Sequence, residues 1–294
     1  VACDYSLSDA INDGYLVPLS QQLVTVTSLD LTTVGTYMGD LAAGSLDEVM
    51  STERNLLGVA YPTLELAGDR KTLVFCAGVQ QAHRLSDILN REQPGSSRAI
   101  DGTMNGNYRR ELMADYAAGR FQFLVNCNIA TEGFDSPAVS CIVMARPTKS
   151  RPLYSQMLGR GTRVLPNVIE GQFENGDDFQ LTTPEERRAA IAGSKKQNLT
   201  VIDFTGNSGK HRLIHPHDIL GGKEEELSDD LLDIISAKTK AATDAKQSVD
   251  VQSVINEAKE ELAARKKLLE LAEKDRLAKL REVVRANVQY TLRK

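Results

Sequence analysis

Residues 71–90 read KTLVFCAGVQQAHRLSDILN. Thr72 to Ala77 make a short apolar run of the kind a strand buried on both faces requires. Gly78 breaks the run, and Val79, Ala82, Leu85, Ile88 and Leu89 then recur at helical spacing. The same alternation continues outward. A short strand is predicted over 97–101 and a helix over 107–118, ended by Gly119. Two more buried strands follow at 121–126 (FQFLVN) and 139–145 (VSCIVMA), and a last one at 199–204 (LTVIDF). Strands alternating with helices predict an α/β fold: a doubly wound parallel sheet flanked by helices.

The flanks are less regular. Residues 16–27 (LVPLSQQLVTVT) read as an extended strand, and 28–45, with Gly35, Gly39 and Gly44, as a loop. A helix is expected to start at Ser45 or Ser51, since serine caps helices well, and Pro62 should kink or split it. Residues 167–198 are polar and read as an insertion loop with a short helix from Pro184. The stretch 221–250 holds eight acidic and four basic residues and reads as an acidic linker with weak helices. Residues 251–294 read as a long amphipathic helical extension, with apolar residues near coiled-coil spacing at 255, 258, 262, 269, 272, 280 and 283.

Composition narrows the classes. The 294 residues are 41% hydrophobic and carry a net charge of −5, which argues against binding nucleic acid through bulk positive charge. A local basic groove remains open, because phosphate contacts need only a few placed Lys and Arg residues. Cys3, Cys76, Cys127 and Cys141 form no C-x-x-C pair and mostly sit in apolar runs, which disfavours a disulfide framework or a zinc ribbon. No apolar run approaches the length of a membrane span. A soluble cytoplasmic protein without a membrane partner is expected. The first residue, Val1, and the abrupt end after Arg293-Lys294 suggest a piece of a longer protein.

The residues able to carry chemistry cluster between 71 and 163. In a parallel α/β sheet, ligands bind at the carboxyl ends of strands. Gly78-Val79-Gln80, Asp101-Gly102-Thr103, the turn Thr131-Glu132-Gly133-Phe134-Asp135 and Arg146-Pro147-Thr148 all follow strand ends. Beyond them stands Gln156-Met-Leu-Gly159-Arg160-Gly-Thr-Arg163, with its glycine read at the head of a helix. Taken singly, each element has an ordinary reading. Arg160 and Arg163 would be solvated helix charges, Asp135 and Thr131 turn residues, and Arg109 a surface charge.

In order and together, these segments resemble the second RecA-like motor domain of a superfamily 2 helicase, of the DEAD/DEAH-box and type III restriction-subunit kind. Lys71 to Ala77 resembles motif IV, Asp101-Gly102 through Arg109 the element after it, Ile129 to Asp135 motif V, and Gln156 to Arg163 motif VI. The resemblance implies that 16–220 is that domain and 1–15 the end of a connection to a first motor domain. It implies that Arg163 is an arginine finger, Arg160 its phosphate-contacting neighbour, and Gln156 an orienting group. Gly133, Asp135 and Gly159 would lie against the nucleotide. Gly78, Asp101, Gly102, Arg109, Asn128 and Thr131 would lie against a nucleic-acid backbone, DNA in preference to RNA. ATP and Mg²⁺ would be held mainly by the first domain, because no G-x-x-x-x-G-K-[ST] loop occurs in this chain. The chain alone should therefore be inactive.

Leu46-Asp47-Glu48-Val49 superficially resembles an acidic metal box, but acids in a first helical turn explain it. His211, His215 and His217 with Asp218 read as a capped loop rather than a metal site. Two other functions stay open: the motor of a restriction system, or a degenerate nucleic-acid-binding module without catalysis.

Overall fold

The computed structural model describes residues 5–127, 136–172, 177–221, 228–245 and 247–287. In chain order the elements are α1 (Leu7–Asn12), β1 (Leu19–Asp30), β2 (Thr36–Tyr37), β3 (Asp40–Leu41), α2 (Ala43–Met50), α3 (Glu53–Ala67), β4 (Thr72–Cys76) and α4 (Val79–Glu92). Next come β5 (Ser97–Ile100), α5 (Gly106–Ala117), β6 (Phe123–Asn126), β7 (Cys141–Ala145), α6 (Arg151–Gly159), β8 (Glu170–Gln172), β9 (Asp178–Gln180) and α7 (Pro184–Gly193). The chain continues through β10 (Leu199–Asn207), α8 (Pro216–Leu220), α9 (Asp229–Asp244), β11 (Val249–Asp250) and α10 (Val251–Asn287).

Seven strands form one sheet in the order β11-β1-β10-β7-β4-β6-β5. All neighbours are parallel except β11, which pairs antiparallel at the edge. The period of two along a strand divides the core. Leu73 and Phe75 of β4 pack on one face with Tyr154, Leu158 and Ile235, whereas Val74 and Cys76 pack on the other with Leu56, Val59 and Leu85. Helices α2, α3 and α4 thus cover one face, and α5, α6, α8, α9 and the base of α10 the other. This is the doubly wound, mostly parallel arrangement that the alternation of strands and helices predicts. The thiols of Cys76, Cys127 and Cys141 are free and buried. Burial raises the pKa of each, Cys141 to about 12, so they serve as small apolar residues.

Several local expectations are corrected. The stretch 28–45 is not a loop throughout: β1 runs on to Asp30, β2 and β3 form a hairpin, and α2 starts at Ala43. Pro62 does not split its helix, and α3 passes through it. A proline inside a helix costs about 3 kcal/mol, and here Leu56, Val59, Ala60, Thr63 and Ala67 are buried along the same helix to offset it. The stretch 221–250 contains the 16-residue helix α9, with Leu231, Ile234 and Ile235 in the core, and the edge strand β11. The acids of α9 lie at its first turn and on its solvent side, so composition alone disguised an amphipathic helix. In α10 only the first turns pack, through Val251, Ile255 and Ala258. From Leu268 to Leu277 its leucines are exposed.

A buried polar group ties α6 to the sheet. The Tyr154 hydroxyl donates to Asp203 Oδ2 (3.0 Å), and His215 Nδ1 meets the same oxygen at 2.6 Å. The His217 ring stacks 5.7 Å from that of His215. Burial alone would lower the His215 pKa, but the Asp203 carboxylate outweighs it and raises it above the ordinary value. Burial lowers His217 to about 4, more than Asp218 restores. A raised histidine stabilises the fold below its unfolded pKa, and that contribution is lost as pH rises through the folded value. A depressed histidine contributes above its unfolded pKa and loses that contribution as pH falls toward 4. The contribution of this histidine pair is therefore greatest near pH 6.5, the ordinary histidine value. Melting curves of the chain and of His217→Leu should diverge between pH 6.5 and 4, with the variant flatter, and run parallel above pH 7. Parallel curves throughout would show that His217 is not held neutral.

Candidate functional site

The parallel sheet has two distinct ends, and the candidate residues divide between them. At the carboxyl end stand the segments after β4, β5, β7, β10 and β1. Gly78 caps α4 in extended backbone (φ −149°). A Cβ there would lie 2.0 Å from the Asp47 carboxylate, so only glycine admits that side chain. Asp47 Oδ1 accepts the Gln81 amide (3.0 Å) and the Ser51 hydroxyl (3.1 Å). This corrects the reading of Asp47 as a first-turn acid of its own helix: it lies inside α2 and caps α4 instead. Gln81, fully buried, accepts from the Ala77 amide (2.7 Å) and donates to the Ala145 carbonyl (2.8 Å), locking the end of β4 to the end of β7.

Asp101 is buried at the end of β5. Its Oδ1 accepts the Thr103 amide and hydroxyl (2.7 and 2.6 Å), and its Oδ2 meets His83 Nε2 at 2.7 Å. Burial alone would raise its pKa, but the hydrogen bonds from Thr103 and His83 hold it below the ordinary range. Asp101 therefore shapes the exposed Gly102 turn and presents His83, which is about half exposed (47%). His83 was missed in the sequence because it sits mid-helix with nothing in its spacing to mark it. Arg109 lines a shallow groove at the start of α5 with Asn105, Asn107, Arg110 and Met113. Asn128, Thr131, Gly133 and Asp135 lie outside the described residues.

Helix α6 connects the two ends. It begins at Ser150, whose hydroxyl accepts the Leu153 amide, near the carboxyl end of β7. It then runs back along the sheet, so Gly159 and Arg160 fall at its C-terminus, not at the head of a helix as expected from sequence. The following loop reaches the amino end of β1. The Val17 amide donates to the Thr162 carbonyl (2.9 Å), and Leu16 bridges Arg163. Gly161 is required by packing, since a Cβ would lie 2.5 Å from Leu199 Cδ1 and 2.9 Å from Ile142 Cδ1. Gly159 has open space at that position. Gln156 and Arg163 are exposed and Arg160 is half-buried.

Lys196, within the polar stretch 167–198, was also missed. It is 3% exposed, and its Nζ donates to the Arg163 carbonyl (2.6 Å) and the Pro137 carbonyl (2.8 Å). Burial pulls its pKa down to about 7. An amine and an ammonium both carry enough N–H donors for the two bonds, so the clasp survives either charge state. Nothing in a Lys195-Lys196 pair within a polar loop announces such a place.

Comparison with known proteins adds a likeness over part of the chain. The helicase conserved C-terminal domain matches residues 54–164, a span that contains Gly78, Asp101 and Arg160 to Arg163. The Schizosaccharomyces pombe protein named as mitochondrial ATP-dependent helicase irc3 is 33% identical over 158 residues, 53% of this chain and 25% of that protein. The type I restriction enzyme EcoKI endonuclease subunit of Escherichia coli is 31% identical over 167 residues, 51% of this chain and 14% of the subunit. A fragment of an HsdR subunit of a type I restriction enzyme from Vibrio vulnificus covers 75% of the chain at 21% identity, over 38% of its own length, with a TM-score of 0.49. The overlap with that fragment is too loose to bear on function. The chain spans about a quarter of the length of the yeast relatives it matches. Among the described residues no helix is long and apolar enough to cross a membrane. With the sheet order and the motif positions in place, residues 54–164 are similar to the helicase conserved C-terminal domain.

Proposed function

We propose that the chain is the second motor domain of an ATP-dependent DNA helicase or translocase, working against a first RecA-like domain of the same protein. The observation that carries this reading is the division of the site: motif IV and the Asp101–Arg109 element at one end of the sheet, and Arg160 and Arg163 at the other.

At the carboxyl end, exposed backbone at Gly102 and the side chains of His83, Arg109 and Arg110 offer donors suited to phosphate oxygens. The carboxylates there are turned inward, Asp47 onto the start of α4 and Asp101 onto Thr103 and His83. The net charge of −5 therefore does not describe this edge. At the amino end, Arg160 and Arg163 fit the terminal phosphates of a nucleotide. In this reading ATP and Mg²⁺ are held mainly by the first domain, because this sequence carries no G-x-x-x-x-G-K-[ST] loop. Bound ATP supplies a phosphoanhydride whose terminal phosphate gathers negative charge as it is cleaved. Arg163 presents a planar fork of donors to that charge, which a lysine cannot reproduce. Gln156 orients groups beside it, and Gly159 admits close approach. Lys196 positions Arg163 through its backbone and ties it to Pro137, just after the motif V segment. The cytoplasm is the expected compartment.

A second reading, the motor of a restriction system, is favoured by the Escherichia coli likeness. The motor chemistry is common to both.

In the protein with its first domain, Arg163→Ala is expected to lower ATPase kcat by about 10³–10⁵-fold while affinity for single-stranded DNA stays within threefold. Equal loss of both would make Arg163 a structural residue. Lys196→Met should leave the Arg163 and Pro137 carbonyls unpaired, costing about 1–3 kcal/mol of stability. It should also lower kcat more than it changes KM for ATP. A change in melting temperature with no change in kcat would remove Lys196 from the account of the finger.

A further inference from the structure

The segment between β1 and α2 ends in an apolar tip that the motor motifs do not use. Tyr37 and Asp40 pair across a two-residue turn, in which Met38 (φ +50°) and Gly39 (φ +85°) both occupy the left-handed region. Such turns match the twist of a hairpin and ordinarily carry Asn-Gly or Asp-Gly. Methionine at a positive φ pays backbone strain of order 1–3 kcal/mol, which persists only where the surroundings impose it. Met38 gains no burial in return: it is 89% exposed, and Tyr37 is 71% exposed.

The stem below this tip is rigid. Leu31, Val34 and Leu41 are buried in the core. The Val34 carbonyl meets His211 Nε2 at 3.0 Å, and the Gly35 carbonyl accepts the Ala42 amide (2.9 Å). Asp40 accepts the Thr148 hydroxyl (2.8 Å) and the Lys149 amide (2.7 Å), and Arg146 lies 3.7 Å from it. Two loops at the carboxyl end of the sheet, after β7 and after β10, thus brace the hairpin. Those loops also carry Lys149 and Lys210, together with Arg146, which faces Asp40, and Arg212, which lies 3.6 Å from Asp218. A single exposed apolar residue on a surface needs no explanation. A strained, braced aromatic–thioether pair at the ligand-binding end of a parallel sheet, on a stem held by loops that carry Lys149 and Lys210, does.

We infer that the Tyr37–Met38 tip is a stacking site for an unpaired nucleobase of the strand gripped at the carboxyl end of the sheet, an inference that rests on the nucleic-acid reading above. The tyrosine ring and the polarisable thioether give the base an apolar face. Lys149 and Lys210, on the loops that brace the stem, supply the charge for its flanking phosphates. Stacking of this kind is sequence-tolerant and worth about 1–3 kcal/mol per base.

The test uses single-stranded DNA with 2-aminopurine at successive positions, bound to the full-length protein. At one or two adjacent positions the wild-type protein should change the probe's fluorescence. In Tyr37→Ala/Met38→Gly that signal should vanish and affinity fall about tenfold, with the salt dependence of binding unchanged because the phosphate contacts remain. Met38→Gly suits the positive φ, so the variant should fold. Arg109→Ala serves as the opposite case, lowering the salt dependence and keeping the signal. A double variant with wild-type affinity and signal would overturn the stacking site while leaving the motor reading intact. So would one that changes only ATPase coupling, since that result places the tip against the first domain. A wild-type protein that binds no single strand at all would overturn both.

Discussion

Everything in this domain follows from one geometric constraint: strands that run parallel must be joined by helices that run back. Each strand of the central sheet delivers its following loop to the same end, and each helix returns the chain to the other. Helix α6 is the case that matters. Its nine residues start beside the carboxyl end of β7 and finish beside the amino end of β1, which separates Arg160 and Arg163 from Gly102 and Arg109 by the depth of the sheet. In the proposed function, a domain that grips a strand at one end and completes a nucleotide site at the other can couple the two only if the sheet between them is stiff. Here β4, β6 and β7 are buried throughout, and the polar group Tyr154–Asp203–His215 fastens α6 to β10.

The central sheet was legible because β4, β6 and β7 are buried on both faces, so nearly every residue had to be apolar. Elements with one wet face were harder to read. The acids of α9 hid three buried aliphatic residues, and β11 is too short to show a period. The β2–β3 hairpin escaped because its turn carries Met38-Gly39 where an Asn-Gly would have declared it. Pro62 misled because propensity was weighed without the packing that outweighs it.

Among candidate residues, Gly159 and Arg160 were read at the head of a helix and lie at its C-terminus, since a glycine-led arginine pair looks alike at either end. Gly78 was marked for ligand contact, and the structure adds a local reason for the glycine in the Asp47 side chain beneath it. Asp101 was marked for contact, and its carboxylate is fully engaged within its own turn and by His83. Lys196 and His83 carried no local signal, because their roles depend on carbonyls and carboxylates brought near only by the fold.

The separation of the two ends is the claim on which the account stands. Hydrogen–deuterium exchange on the full-length protein tests it directly, measured with single-stranded DNA alone and with a non-hydrolysable ATP analogue alone. DNA should slow exchange over 101–110 and 146–151 and leave 160–164 unchanged, while the analogue should do the reverse. Protection of one and the same end by both ligands would contradict it.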